Sequence, residues 1–173
     1  MRYTVIDFET TGLEPAQDEV IEFAAVRVCD GEIGLHLSSL CRPRAEIPAK
    51  ITQITGITGA MTQEYPLFET FLPSLLDFIG TDSVAAHNAP FDMGFLRAYC
   101  HRAGRIFSPA ELCTVRMARR QLPHLPNHRL QTVAEHLGVG SGGYHRALGD
   151  AMTTAEILIR LLAREKAPSA GNR

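Results

Sequence analysis

The sequence predicts an α/β fold: an antiparallel meander first, then mixed strands and helices that leave helices on the faces of one sheet. Three observations carry this. Short runs rich in Val, Ile and Phe fill residues 3–41, with Asp30-Gly31 as a two-residue hairpin signal between two of them. Sustained helical spacing of apolar residues begins only near Pro66. From there on, helical stretches dominate, interrupted by one short apolar run at Ser83–Ala86.

Taken in order, residues 3–7 form the first strand, and Thr10-Thr11-Gly12 bends the chain away from it. Glu19–Cys29 is the second strand and Glu32–Cys41 returns as the third. Pro43 and Pro48 mark a loop, and Ile51–Thr58 is a short helix or turn ended by Gly56. Pro66–Ile79 places Leu67, Phe71, Leu72, Leu75, Leu76 and Ile79 at helical spacing, but Pro73 interrupts it and predicts a kink or two short helices. After the strand at Ser83–Ala86, Pro90 opens a helix that runs to Ala103, since proline suits the first helical turn. Leu112–Leu122 and Arg129–Leu137 are further helices, the second stopped by Gly138. Gly138, Gly140, Gly142 and Gly143 make a flexible loop before a long helix from Arg146 to Ala163. Residues 1–165 read as a single domain and 166–173 as a frayed tail, with no internal repeat.

The bulk numbers exclude several classes. A hydrophobic share of 45% and a charged share of 21% are globular values. No run approaches the ~18 apolar residues of a membrane span, and no signal segment precedes the first strand, so a cytoplasmic location is expected. Cys29, Cys41, Cys100 and Cys113 are widely spaced without a C-x-x-C pair, which points to thiols and not to a disulfide framework. The net charge of −2 argues against non-specific coating of nucleic acid, which needs a broad basic face.

The chemistry-bearing residues are acids. Asp7 and Glu9 are two apart, so on a strand they project from one face. Two carboxylates on one face repel unless a cation lies between them, and a hard divalent ion prefers such oxygen ligands. Asp92 and Asp150 each fall in the first turn of an expected helix, where the helix dipole alone would favour an acid. Together the four can coordinate two divalent ions, which in such sites lie ~3.5–4 Å apart and clamp the attacking and leaving oxygens of a phosphate. His145, five residues before Asp150, suits a general base, because an ordinary imidazole with pKa about 6.5 is largely neutral at pH 7. The glycines before it would let the loop deliver it onto substrate.

Asp7-x-Glu9 followed by Thr-Thr-Gly-Leu, then His-Asn-Ala-Pro-Phe-Asp92, then His145-Arg-Ala-Leu-Gly-Asp150, resemble in order the three motifs of the DEDD exonucleases. The His-x₄-Asp spacing is similar to the DEDDh, or DnaQ-like, branch, which includes proofreading subunits of replicative DNA polymerases, oligoribonuclease, RNase T and exonuclease X. The resemblance spans residues 3–163 and implies a ribonuclease H-like mixed sheet: antiparallel meander first, then parallel strands, with helices on both faces. It implies a 3′→5′ exonuclease using two Mg²⁺ or Mn²⁺ ions. Asp7, Glu9 and Asp150 would bind the deeper metal, Asp7 would bridge to the second, and Asp92 would act directly or through water. His145 would be the general base. Thr10, Thr11 and Gly12 would touch the substrate's 3′ end, Leu13 would wedge against its terminal base, and Asn88 and Phe91 would support the substrate side or the helix start.

The expected substrate is a single-stranded or frayed 3′ end, DNA ahead of RNA, cut to nucleoside 5′-monophosphates in proofreading or repair. A polymerase subunit is an expected partner and a homodimer is open; only residues 164–173 follow the last expected helix, which favours a stand-alone enzyme or an isolated domain. Cys113-Thr114 stands where many members have Asp-Thr, as in exonuclease X-like members. Arg116, Arg119 and Arg120 form a strip suited to a phosphate backbone or to plain solvation. Two rivals remain: an RNA-trimming exonuclease, and a non-catalytic binding module, which would be expected to have lost one of the five site residues. Gly138-Val-Gly-Ser-Gly-Gly is no dinucleotide fingerprint, because no strand precedes it. Pro123 and Pro126 spoil the helix that a zinc site at His124 and His128 would need.

Overall fold

The computed structural model describes residues 1–140 and 145–166. β1 (Arg2–Thr10), β2 (Val20–Cys29) and β3 (Glu32–Leu40) form the antiparallel meander, and β4 (Ser83–Ala86) and β5 (Glu111–Cys113) add parallel to β1. The sheet order is β3-β2-β1-β4-β5. The ribonuclease H-like arrangement implied by the motifs is therefore present.

Both faces are covered. Ile6, Phe8, Phe23, Val84 and Ala86 pack under α3 (Phe68–Ile79) and α4 (Pro90–Arg102). Val5, Ala24, Val26 and Ala85 pack on the other side, under α5 (Thr114–Gln121), α6 (Leu130–Leu137) and α7 (Ala147–Lys166). Strand alternation thus puts Asp7 and Glu9, which share parity with Val5, on the α7 side. Ala147, Ala151 and Ala155 are fully buried at a spacing of four. Their small side chains let α7 lie close to β1 and β2, which brings its first turn to the acids.

Two helices, α1 (Ala49–Thr55, capped by left-handed Gly56) and α2 (Gly59–Thr62), follow the meander. Four expectations are corrected. β1 continues to Thr10, because Asp7 and Glu9 pair with Ala24 and Glu22 before a bulge at Glu9/Thr10. Pro73 does not split its helix: α3 is one helix, with Phe68, Leu72, Leu75 and Ile79 buried, and this packing offsets the cost of about 3 kcal/mol of an interior proline. Leu112 and Cys113 belong to a strand, not a helix, since β4 supplies hydrogen-bonding partners that local sequence cannot reveal. The last helix runs past Ala163 to Lys166. Of the expected glycine loop, Gly142 and Gly143 lie outside the described residues, as does 167–173 of the expected tail.

The end of the sheet away from Glu9 is held by Asp82, which is almost fully buried. It accepts from the Thr4 hydroxyl at 3.1 Å and pairs with Arg2 Nε at 3.0 Å and Arg27 Nε at 3.3 Å. Arg27 also lies over the Phe78 ring at 4.5 Å and donates to the Phe78 carbonyl. Asp82→Ala leaves two guanidinium groups without their shared partner. A loss of about 2–3 kcal/mol is expected, below the full cost of a buried pair because both arginines reach solvent. Thermal melting should fall by about 5–10 °C, with the Asp7–Glu9 end of the sheet unchanged.

Candidate active site

Three elements deliver four carboxylates to one end of the sheet. Asp7 and Glu9 come from β1. Asp92 comes from the first turn of α4, where its Oδ1 accepts from the Phe8 backbone N–H at 3.0 Å. Asp150 comes from the first turn of α7, where its Oδ2 accepts from the His145 backbone N–H at 2.9 Å. One ligating atom each of Glu9, His145 and Asp150 lie within 4.8 Å of one another. Asp150 Oδ1 is buried with no hydrogen-bond partner among the described residues.

The acids perturb one another. Burial, then Asp92, Asp150, Glu9 and Glu22, hold Asp7 well above the usual carboxylate range. Burial, then Asp150 and Glu22, push Glu9 up to about 8, with Arg146 opposing. Burial also raises Asp92, against the pull of the Phe8 N–H, and raises Asp150, against the His145 N–H. A solvated acid at a helix start would be held down by the dipole, so that explanation does not account for Asp92 or Asp150. The all-oxygen donor set and the orphaned Asp150 Oδ1 fit hard divalent cations, whose charge would relieve the repulsion.

His145 is exposed and adopts a left-handed backbone, φ 63°. Next to it, Arg146 and the Ala147 N–H are held by Glu22, a residue that sequence reasoning passed over. Its signal was available: Glu22 is the one acid in the otherwise apolar run Val20–Val26. His87, also passed over, ties the α4 start to the neighbouring elements. Its Nε2 meets the His128 carbonyl at 3.0 Å and its Nδ1 meets the Thr114 hydroxyl at 2.8 Å. Burial pulls its pKa down to about 4, so it is neutral at pH 7. Thr114, the second residue of Cys113-Thr114, is thus a fully buried partner of the second motif.

The expected substrate-side residues divide. Thr10 and Thr11 are buried, and Thr11 is locked to Glu19 by reciprocal contacts of 2.9 Å. A Cβ on Gly12 would meet the Asp18 carboxylate at 2.4 Å, so the turn needs glycine unless Asp18 moves. Leu13 stands at the turn with 76% of its surface exposed. Asn88 is exposed in a left-handed turn, and Phe91 packs on Phe95 at 5.2 Å as helix support. Arg116, Arg119 and Arg120 are exposed on α5; Arg120 pairs with Glu165, while Arg116 lines a cavity of about 290 Å³ beside Ala89 and Pro90.

The family model described as Exonuclease matches residues 4–158. The chain belongs to the exonuclease family. It is 41% identical over 161 residues to DNA polymerase III subunit epsilon of Aquifex aeolicus, covering 92% of this chain and 80% of that one. It is 40% identical over 156 residues to DNA polymerase III PolC-type of Clostridium perfringens, covering 90% of this chain but 11% of that one. Among solved structures it is similar to exonuclease X in complex with 5′-overhanging duplex DNA, with TM-score 0.78 and 29% identity over 94% of this chain and 92% of that one. As a member of the exonuclease family, the chain is a 3′→5′ exonuclease, a phosphodiester hydrolase. Among the described residues, no helix is long and apolar enough to cross a membrane.

Proposed function

We propose that this exonuclease hydrolyses the terminal phosphodiester of single-stranded or frayed DNA 3′ ends, releasing nucleoside 5′-monophosphates, in replication proofreading or repair. The observation that carries the reading is the convergence of Asp7, Glu9, Asp92 and Asp150 with His145 at one end of the sheet. The DNA-bound exonuclease X and the polymerase III relatives support DNA and a cytoplasmic replication setting.

Asp7, Glu9, Asp92 and Asp150 would hold two Mg²⁺ or Mn²⁺ ions. Those ions would supply Lewis acidity to the phosphate and lower the pKa of water. His145 accepts a proton from the attacking water as the new P–O bond forms. The bond to the 3′ oxygen of the penultimate nucleotide breaks, and that oxygen takes a proton from solvent. Leu13 rests against the terminal base, and the Thr10–Gly12 turn faces the last sugar and keeps the strand in register. Matched DNA and RNA oligonucleotides test the substrate: faster shortening of DNA supports this reading, whereas faster shortening of RNA favours the RNA-trimming alternative, since a 2′-OH is accepted or excluded locally.

The raised acids set a pH dependence for metal binding. Without metal, Glu9 keeps its proton in the folded state up to about 8. Its ordinary value is 4.5, so its stabilising effect is complete below that pH and is lost as pH rises through the folded value. Metal binds the deprotonated form. Mg²⁺ at a hundred times its Kd should therefore add about 2.7 kcal/mol, or about 5–10 °C in Tm, at pH 8.5, and markedly less at pH 6. Equal shifts at both pH values would contradict the raised carboxylates.

A further inference from the structure

We infer that Glu22 and Arg146 form a clamp that positions His145, an assignment that rests on the exonuclease reading above. Glu22 lies on β2, 6% exposed, directly opposite Glu9 in the strand register. Like charges in that arrangement destabilise a sheet. A carboxylate kept there needs compensating contacts, and Glu22 has them. Arg146 Nη2 donates to it at 2.7 Å, Arg146 Nε lies 3.1 and 3.2 Å from its two oxygens, and the Ala147 N–H donates at 2.9 Å.

These contacts complete a pattern. Three consecutive residues are each tied to a carboxylate: the His145 N–H to Asp150, and the Arg146 guanidinium and Ala147 N–H to Glu22. His145 itself has φ 63°, a conformation that a non-glycine residue keeps only where its surroundings over-determine it. The two carboxylates do so, Asp150 at the His145 N–H and Glu22 at the two residues that follow. The left-handed backbone then leaves a His145 ring nitrogen within 4.8 Å of ligating atoms of Glu9 and Asp150. Helix starts fray unless their N–H groups are capped, and Glu22 caps this one from a neighbouring strand, not from the chain that precedes the helix. Glu22 is therefore a positioning residue: it touches no reacting atom and acts through His145.

The test is a double-mutant cycle on the full chain with saturating Mg²⁺. Glu22→Ala should lower kcat about 10- to 100-fold with KM changed by less than about threefold, because a misplaced general base costs turnover and not binding. In a His145→Ala background the same substitution should change kcat by less than about twofold, since the group it positions is gone. Glu22→Gln, which keeps an acceptor for Arg146 and the Ala147 N–H, should recover most of the rate. The Mg²⁺-induced rise in Tm should persist in every Glu22 variant. If Glu22→Ala fails to fold, Arg146→Ala replaces it in the cycle, with an intermediate loss expected that also disappears without His145. Wild-type kcat in folded Glu22→Ala, or an equal loss in both backgrounds, overturns the clamp while leaving the exonuclease intact. Wild-type protein inactive with both Mg²⁺ and Mn²⁺ overturns the exonuclease reading, and the clamp with it.

Discussion

Asp7→Ala should abolish nucleotide release, with kcat down by about 10³-fold or more, because the lost metal-mediated stabilisation of several kcal/mol corresponds to three or more powers of ten. Asp7 is the acid on which the others converge: Asp92, Asp150, Glu9 and Glu22 all raise its pKa, after burial itself. Removing it has two opposite consequences. In the metal-free protein it relieves repulsion, so Tm should be unchanged or slightly higher. With Mg²⁺, the rise in Tm seen in wild type should disappear. A variant that is inactive yet keeps the full metal-induced shift would place the metal elsewhere.

His145→Ala should behave differently. General-base catalysis contributes about 10²- to 10⁴-fold, so kcat should fall by that range while KM stays close to wild type. The four carboxylates are untouched, so the Mg²⁺-induced rise in Tm should remain. His145 is exposed, and its backbone N–H, not its ring, is what binds Asp150, so the fold should tolerate the change. Loss of the thermal shift in this variant would make His145 a metal ligand and not a base. The proximity of its ring to Glu9 and Asp150 gives that outcome a structural meaning.

Much of this site was legible in the sequence, for separate physical reasons. Asp7 and Glu9 were readable because a strand has period two, which fixes two acids to one face whatever the tertiary fold. Asp92 and Asp150 were ambiguous alone, since helix starts favour acids; motif order singled them out, and burial with mutual repulsion separates them from ordinary helix-start acids. Glu22 left a mark in the sequence, but not a role. An acid inside an apolar strand run looks like an isolated irregularity until the partner at Arg146, 124 residues later, is in place. β5 was hidden for the same reason, since a strand from Glu111 to Cys113 is too short to show periodicity and exists because β4 offers it an edge. Pro73 misled in the opposite direction: its local penalty is real, but the buried face of α3 outweighs it.

The most direct test of the central claim uses a 5′-labelled single-stranded DNA oligonucleotide with Mg²⁺, Mn²⁺ or EDTA, comparing wild type with Asp7→Ala. Stepwise shortening from the 3′ end in either metal, absent in EDTA and in the variant, is the predicted result. Intact oligonucleotide in every lane with folded protein, or shortening that persists in EDTA, would contradict a carboxylate-held metal centre as the seat of the exonuclease.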